Sequence, residues 1–170
     1  MKVAHHLARL EPIVLHPLHG IDDASWHRAP RRKWTIAQIV QHLAIGIDAV
    51  GRGFVDLADA SESSRISKPH QSVLRHLVLG LGQYPGALRA MPDAKPDDRP
   101  DADLIVAQFR MGVEQLRELT ETWPRERQLT RFITHAVLGD LNVPEWVRFH
   151  YLHCRHYGQD IGRRLRWLSR

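Results

Sequence analysis

The longest run of regularly spaced apolar residues lies in the first third of the chain and has the period of an α-helix. Its members recur every three or four positions and so share one face: Ile36, Ile39, Val40, Leu43, Ile47, Val50 and Phe54. Thr35 and Gln38 form the sequence of a capping box, in which each side chain binds the backbone N–H of the other residue. The pattern predicts a helix that begins after Thr35 and ends near residue 60, before the polar residues 61–64.

Helical spacing also predicts two weaker elements on either side of this helix. A first helix is expected over residues 3–10, and Pro12 should stop it because proline lacks a backbone N–H. A second is expected over residues 71–81, and this one can resume after Gly82 and Pro85.

The second half of the chain has two strong helical patterns. One helix should begin at Asp101 or Asp103, either of which can cap it, and end before Pro124. Its apolar stripe consists of Leu104, Ile105, Phe109, Val113, Leu116 and Leu119. The last helix should have Pro144 in its first turn and continue to about Trp167.

The segments between these patterns are expected to be connections without regular structure. They comprise residues 21–33, the proline-rich residues 91–100 and residues 125–143. No stretch alternates between apolar and polar residues in the manner of a β-strand. The sequence therefore predicts an all-α protein, a helical bundle that forms a single domain over residues 1–170.

Composition narrows the class of protein. Hydrophobic residues make up 43% of the 170 positions and charged residues 25%, which is typical of a globular domain. No apolar run could span a bilayer and no signal peptide opens the chain, so a cytoplasmic protein is expected. Cys154 is the single cysteine, which excludes an internal disulfide and a multi-cysteine zinc site, and it is expected to be a packed core residue.

The basic residues do not form the pattern expected of a nucleic-acid-binding protein. The net charge is +5, but most cations alternate with acids along the chain. The exceptions are residues 28–33 and a C-terminal cluster, Arg163, Arg164, Arg166 and Arg170. Both are expected to be solvated helix ends, because no nucleic-acid-binding motif accompanies them.

Twelve histidines are unusual for this length, and several fall in the predicted core. One face of the last helix carries Trp146, Phe149, His150, His153, Tyr157 and Ile161, with His156 beside it. Imidazoles spaced by three residues can converge on one ion, and His42, beside the apolar stripe of the capped helix, could supply a further ligand. The alternative is that these are core histidines, each bonded to a carbonyl or carboxylate. His5 and His6 are expected to be exposed.

Two segments resemble a known family. Residues 34–43, Trp-Thr-Ile-Ala-Gln-Ile-Val-Gln-His-Leu, resemble the first-histidine segment of the DinB-like superfamily, whose members are four-helix bundles with a three-histidine metal site. Residues 146–157, Trp-Val-Arg-Phe-His-Tyr-Leu-His-Cys-Arg-His-Tyr, resemble a DinB-related subfamily of unknown function. His135 followed by Gly139 is similar to the histidine-loop-glycine segment of that subfamily.

The resemblance implies a ligand set. His42 would be the first ligand and His153 the second. The superfamily's usual spacing of four would place the third at Tyr157, whereas this chain has its histidine one step earlier, at His156. We assign His156 as the third ligand because residues 156–159, His-Tyr-Gly-Gln, are similar to the histidine-any-glycine-glutamine ending of many members. Tyr157 as a weak oxygen ligand, or loss of the metal, are the alternatives.

The resemblance also implies an activity. Three imidazoles with an open position suit a divalent transition metal such as zinc, nickel or iron. Superfamily membership would imply a metal-dependent transferase or hydrolase that acts on a small-molecule substrate, with a low-molecular-weight thiol as the nucleophile. The alternative is a non-catalytic bundle that binds a ligand or forms a homodimer through an apolar helix face.

Overall fold

The computed structural model describes residues 2–56, 68–83, 94–130 and 133–170. In chain order its elements are α1 (Lys2–Val14), a 3-10 helix (His16–Leu18), α2 (Asp23–Trp26), α3 (Ile36–Asp56), α4 (Pro69–Arg75), a π-helix (His76–Gly80), α5 (Ala102–Thr122), α6 (Arg125–Leu129), β1 (Ile133–His135), β2 (Gly139–Leu141) and α7 (Val143–Leu168). α3 packs mainly against α5, and α1 against α7. Contacts between α1 and α5 and between α3 and α7 close a four-helix bundle, as predicted.

The predicted start of α3 is confirmed. The Gln38 backbone N–H donates to Thr35 Oγ1 at 3.1 Å, and the Thr35 N–H donates to Gln38 Oε1 at 3.0 Å. Every residue of the predicted stripe is buried, with Ile36, Val40, Ile47 and Phe54 at 0% exposure. α3 is described as far as Asp56, so the predicted end near residue 60 lies outside the described residues.

The predicted bounds of α5 and α7 are also confirmed. Asp101 caps α5 by accepting from the backbone N–H groups of Asp103 and Leu104, both at 3.0 Å. A capping box of Asn142 and Glu145 begins α7. One member of the α5 stripe was predicted wrongly: Leu104 is 70% exposed, because the buried face begins with Ile105.

Two predictions near the shorter elements were wrong, one for the end of α1 and one for the connection over residues 21–33. α1 continues through Pro12 to Val14, because burial of Leu10 and Val14 against α7 outweighs the one backbone bond that proline removes near the helix end. The helix expected over residues 71–81 is present: it begins at Pro69 and continues as the π-helix to Gly80. Its resumption after Gly82 lies outside the described residues. The connection over residues 21–33 contains the short helix α2, which Asp22 caps.

The segment 125–143 is not purely connective, since it contains α6 and an antiparallel β-hairpin. Ile133 pairs with Leu141 and His135 with Gly139. The turn depends on His135, whose Nδ1 accepts from the backbone N–H groups of Val137 at 3.1 Å and Leu138 at 3.2 Å. Gly139 has a φ of +79°, a left-handed conformation that favours glycine. The strands are three residues each, too short for alternation to predict them.

Gly112 lies where the backbones of α5 and α3 pack closely. A Cβ there would lie 2.9 Å from Ile47 Cγ2 and 3.2 Å from the backbone nitrogen of Asp48. We expect Gly112→Ala to lower the free energy of unfolding by about 1–2 kcal/mol in a urea titration, because overpacking exceeds the gain in helix propensity. Gly162→Ala on α7 is the control: its nearest neighbour is the Arg166 side chain at 3.4 Å, and a gain of up to about 1 kcal/mol is expected. Equal stabilisation by both changes would contradict the close approach.

Among the helices in the described ranges, none has both the length and the hydropathy that crossing a bilayer would require.

Candidate functional site

Two histidines that are 111 residues apart in sequence meet inside the bundle. His42 lies on α3 and His153 on α7, and their side chains are 5% and 6% exposed. Their Nε2 atoms face one another at 3.3 Å, and the two rings are perpendicular. The packing of α3 against α7 therefore joins the first and second ligands of the predicted set.

A backbone carbonyl fixes the tautomer of His42. The Nδ1 atom lies 2.7 Å from the carbonyl oxygen of Ala94. Because a carbonyl can only accept, Nδ1 must carry the ring proton in the neutral imidazole, which leaves Nε2 as an unprotonated acceptor directed at His153.

Two glutamines on the same side of α3 hold the segment that contains Ala94. Gln38 Nε2 donates to the Asp97 carbonyl at 3.0 Å. Gln41 Nε2 donates to Asp97 Oδ2 at 2.6 Å, and its Oε1 accepts from the Asp97 backbone N–H at 2.7 Å. These bonds tie residues 94–98 to the same helix that carries His42.

Aromatic rings cover the histidine pair. The Tyr157 ring centroid lies 5.1 Å from that of His42 and 5.0 Å from that of His153. Trp34 lies 5.1 Å from His42 and stacks on Tyr157. The Arg164 guanidinium donates from Nε to the carbonyl of Trp34 at 3.0 Å and so helps to position Trp34. Arg164 is buried, so the prediction that it is solvated was wrong.

His156, the third predicted ligand, is half-buried at the edge of this cluster. Its ring lies 5.2 Å from Tyr157, edge-on. Ring contacts join His42 and His153 to Tyr157, and repulsion from His156 contributes to the lowered pKa of His153. Across residues 2–56, 68–83, 94–130 and 133–170, no group of three His, Cys, Asp or Glu side chains is placed to hold a metal ion. The structure therefore brings two of the three predicted ligands together.

Burial keeps both paired imidazoles neutral. It lowers the pKa of His42, although the bond to Ala94 acts in the opposite direction. It lowers the pKa of His153 further below its usual value, and repulsion from His42 and His150 adds to the effect. Both rings are uncharged at neutral pH, which is the form that can bind a cation through nitrogen.

His150 and His135 lie close to this pair, and the sequence assigned neither a role. His150 is 1% exposed and stacks against Trp146, and burial lowers its pKa to about 3. Neither of its ring nitrogens has a hydrogen-bond partner in the part of the chain that the structure describes. Burial lowers the pKa of His135 to about 4, and its bonds to the hairpin turn give it a structural role.

Two other sequence predictions concern single residues. Cys154 is fully buried and burial raises the pKa of its thiol, so its assignment as a packed core residue is confirmed. The expectation that His6 is exposed was wrong: it is 8% exposed, because its ring stacks on Tyr151 of α7 with the centroids 4.4 Å apart.

The protein is thus a four-helix bundle with a buried histidine pair between α3 and α7. The sequence profile described as the DinB superfamily matches residues 6–161, a range that contains α3, α5, the histidine pair and most of α1 and α7. The chain belongs to the DinB superfamily. No curated protein and no solved structure matches it significantly.

Proposed function

We propose that the chain is a metal-dependent enzyme in which His42 and His153 hold a divalent transition metal such as zinc, nickel or iron. The distance between their Nε2 atoms carries this proposal. Two nitrogens that each bind one tetrahedral ion at about 2.0–2.1 Å lie about 3.3–3.4 Å apart. The separation of 3.3 Å in this chain matches that distance and so supports the proposal.

The bond between His42 and Ala94 supports the same proposal. A metal-binding histidine almost always donates its other ring N–H to a carbonyl, a carboxylate or water, which directs its lone pair at the ion. His42 has this arrangement, with Nδ1–H directed at the Ala94 carbonyl and Nε2 directed into the pair. Without an ion, the pair can form one N–H···N hydrogen bond at the same distance if His153 carries its proton on Nε2.

His156 is the proposed third ligand, and Tyr157 is the alternative. When bound, the metal would lower the pKa of a thiol or water and stabilise the resulting nucleophile. Trp34 and Tyr157 would limit access of water to the histidine pair, and their half-buried rings would provide an apolar wall for a small organic substrate. The proposed activity is a transferase or hydrolase that uses a low-molecular-weight thiol.

Metal analysis of untagged protein tests this function. We expect one zinc, nickel or iron ion per chain. His42→Ala and His153→Ala should each weaken metal binding at least about tenfold, because loss of a residue that only orients a ligand can already have an effect of that size. His156→Ala should weaken binding sharply and Tyr157→Phe little, because a phenol keeps its proton at neutral pH. The matched control is His16→Ala, which removes an exposed imidazole from the 3-10 helix.

Two results would change the proposal. Loss of metal in Tyr157→Phe, with His156→Ala binding as tightly as the parent, would reassign the third ligand to Tyr157. If the parent binds no zinc, nickel or iron, the non-catalytic bundle becomes the better proposal. One observation already favours that alternative: Leu104 and Met111, two turns apart on α5, are 70% and 66% exposed, as in a helix face that could pair with a second copy.

A further inference from the structure

A cavity of about 510 Å³ lies away from the histidine pair, between α1, α4 with the π-helix, and the first turns of α7. Its wall contains the basic side chains Lys2, Arg75 and Arg148, and one carboxylate, Glu145. Three positive charges against one negative leave a net charge of +2, with the imidazoles of His6 and His76 counted as neutral. A concave surface with this charge attracts anions.

Arg148 is fixed by the π-helix. Its Nε donates to the carbonyl of Leu79, and its Nη2 lies 3.4 Å from the carbonyl oxygen of Gly80. Leu79 and Gly80 end the helix, where backbone carbonyls have no partner within the helix and can accept from other donors. π-helices are frequent at functional sites. Arginine has five N–H donors, so a guanidinium anchored in this way retains donors for a ligand.

Arg75, on α4, is fixed in a similar manner. Its Nη1 donates to the Asp140 carbonyl at 3.3 Å, and its Nε lies 4.0 Å from Glu145 Oε1. The guanidinium groups of Arg75 and Arg148 are therefore held by the fold before any ligand arrives. Little side-chain entropy would be lost when they bind one, which favours affinity.

The pKa of His6 is sensitive to the positive charge of the cavity wall. Burial is the main reason that its pKa lies below the usual value, and repulsion from Arg148, His5 and Lys2 lowers it further. A negatively charged ligand would oppose that repulsion and stabilise the imidazolium form.

We propose that this cavity binds the phosphate group of a small phosphate monoester, with Lys2, Arg75 and Arg148 as the charged contacts and Ser72 as a hydroxyl donor. A phosphate monoester carries nearly two negative charges at neutral pH, which matches the net charge of the wall. Two fixed guanidinium groups suit phosphate oxygens, which accept paired N–H bonds. None of the lining residues belongs to the proposed metal site.

Calorimetric titration of metal-free protein at low ionic strength tests this proposal, with inorganic phosphate and phenyl phosphate as probes. We expect saturable binding of one phosphate per chain. Lys2→Gln, which removes no hydrogen bond seen within the described residues, and Arg148→Ala should each weaken binding about tenfold, because each removes a charge-assisted contact. Glu145→Gln should tighten binding a few-fold, since glutamine can also complete the capping box of α7.

Arg52→Gln is the control for net charge. Arg52 lies on α3, pairs with Asp48 and is 64% exposed, so its replacement removes one positive charge outside the cavity. Equal weakening by Arg52→Gln and Lys2→Gln would mean general attraction rather than a site and would overturn the proposal. Failure of the parent to bind phosphate would overturn it as well. Malonate, a dicarboxylate, should bind more weakly, and equal or tighter binding of malonate would contradict the choice of phosphate.

A second readout distinguishes a site from a structural role of these side chains. In an NMR titration of the histidine resonances, saturating phosphate should raise the pKa of His6, and Arg52→Gln should preserve that response. A phosphate-independent His6 titration in the parent would overturn the proposal. Because the protein is metal-free in both experiments, either outcome leaves the proposed metal site to its own test.

Discussion

Lowering the pH from 7.5 to 5 is expected to cost the metal-free protein about 4 kcal/mol of stability through His135 and His150. Their pKa values in the fold, about 4 and about 3, lie below the value of 6.5 for an unfolded chain. Between pH 6.5 and these folded-state pKa values, the unfolded state binds more protons than the folded state. The stability that these two histidines contribute is therefore fully present above pH 6.5 and is lost as the pH falls. Each group contributes about 1.4 kcal/mol per pH unit.

The lowered pKa values of His42 and His153 act in the same direction and add to this loss. A domain of this size typically has about 5–15 kcal/mol of stability, so acid unfolding should begin near pH 5. Urea unfolding at a series of pH values, in the presence of a chelator, measures the slope. A free energy of unfolding that is constant between pH 7 and pH 5 would contradict the neutral, buried state of these rings.

The variant His150→Leu isolates the contribution of His150 to the pH dependence of stability from that of the other histidines. Leucine has a similar size, and it removes two ring nitrogens that lack a hydrogen-bond partner among the described residues. We expect the free energy of unfolding to rise by about 1–2 kcal/mol at pH 7.5. The rise should be larger at pH 5, because unfolding of the variant no longer exposes an imidazole at position 150 that takes up a proton. His16→Gln, at an exposed position, should keep the parent's profile. If His150→Leu instead lowered stability and metal binding together, His150 would be a ligand.

Removing the side chain of His135 should have the second large effect. Its Nδ1 accepts two backbone bonds, from Val137 and Leu138, and the Leu138 side chain is buried. His135→Ala leaves both N–H groups without that acceptor at the centre of the turn. We expect a loss of about 2–4 kcal/mol in urea unfolding at pH 7.5, since each unsatisfied buried amide costs about 1–3 kcal/mol.

His135→Asn is the matched variant, because an asparagine oxygen can accept from backbone N–H groups two residues on. It should recover about half of the loss. If His135→Ala and His135→Asn were equally destabilised, packing of the ring against Phe149 and Trp146 would be its main contribution. If His135→Ala matched the parent, the turn would not depend on this side chain.

Helix starts were predictable from sequence because their signals are local. Thr35 with Gln38 and the cap at Asp101 lie within three residues of the groups that they bind. The hairpin was not predictable, since His135 binds its turn through a ring nitrogen and each strand has only three residues. Pro12 misled the prediction because burial against α7, a contact distant in sequence, decides where α1 ends.

The candidate site was predictable in part for the same reason. Helical spacing and the resemblance selected His42 and His153, which lie on facing helices and meet. Spacing could not decide whether His156 or Tyr157 is the third ligand, because both lie near His153 on a helical wheel. In the structure, packing places Tyr157 against both rings of the pair and His156 beside Tyr157. The bond between His42 and Ala94 uses a backbone atom, which no side-chain pattern reveals.

The bond between His42 and the Ala94 carbonyl constrains the length of the segment around Ala94 more than its amino-acid identity. Any amino acid at position 94 can present the carbonyl, so substitutions there should be tolerated across relatives. An insertion or deletion between Ala94 and Asp97 would be different, because Gln41 would still hold Asp97 while the carbonyl moved away from His42. Selection at this site should therefore preserve the length of the segment more strictly than its identity.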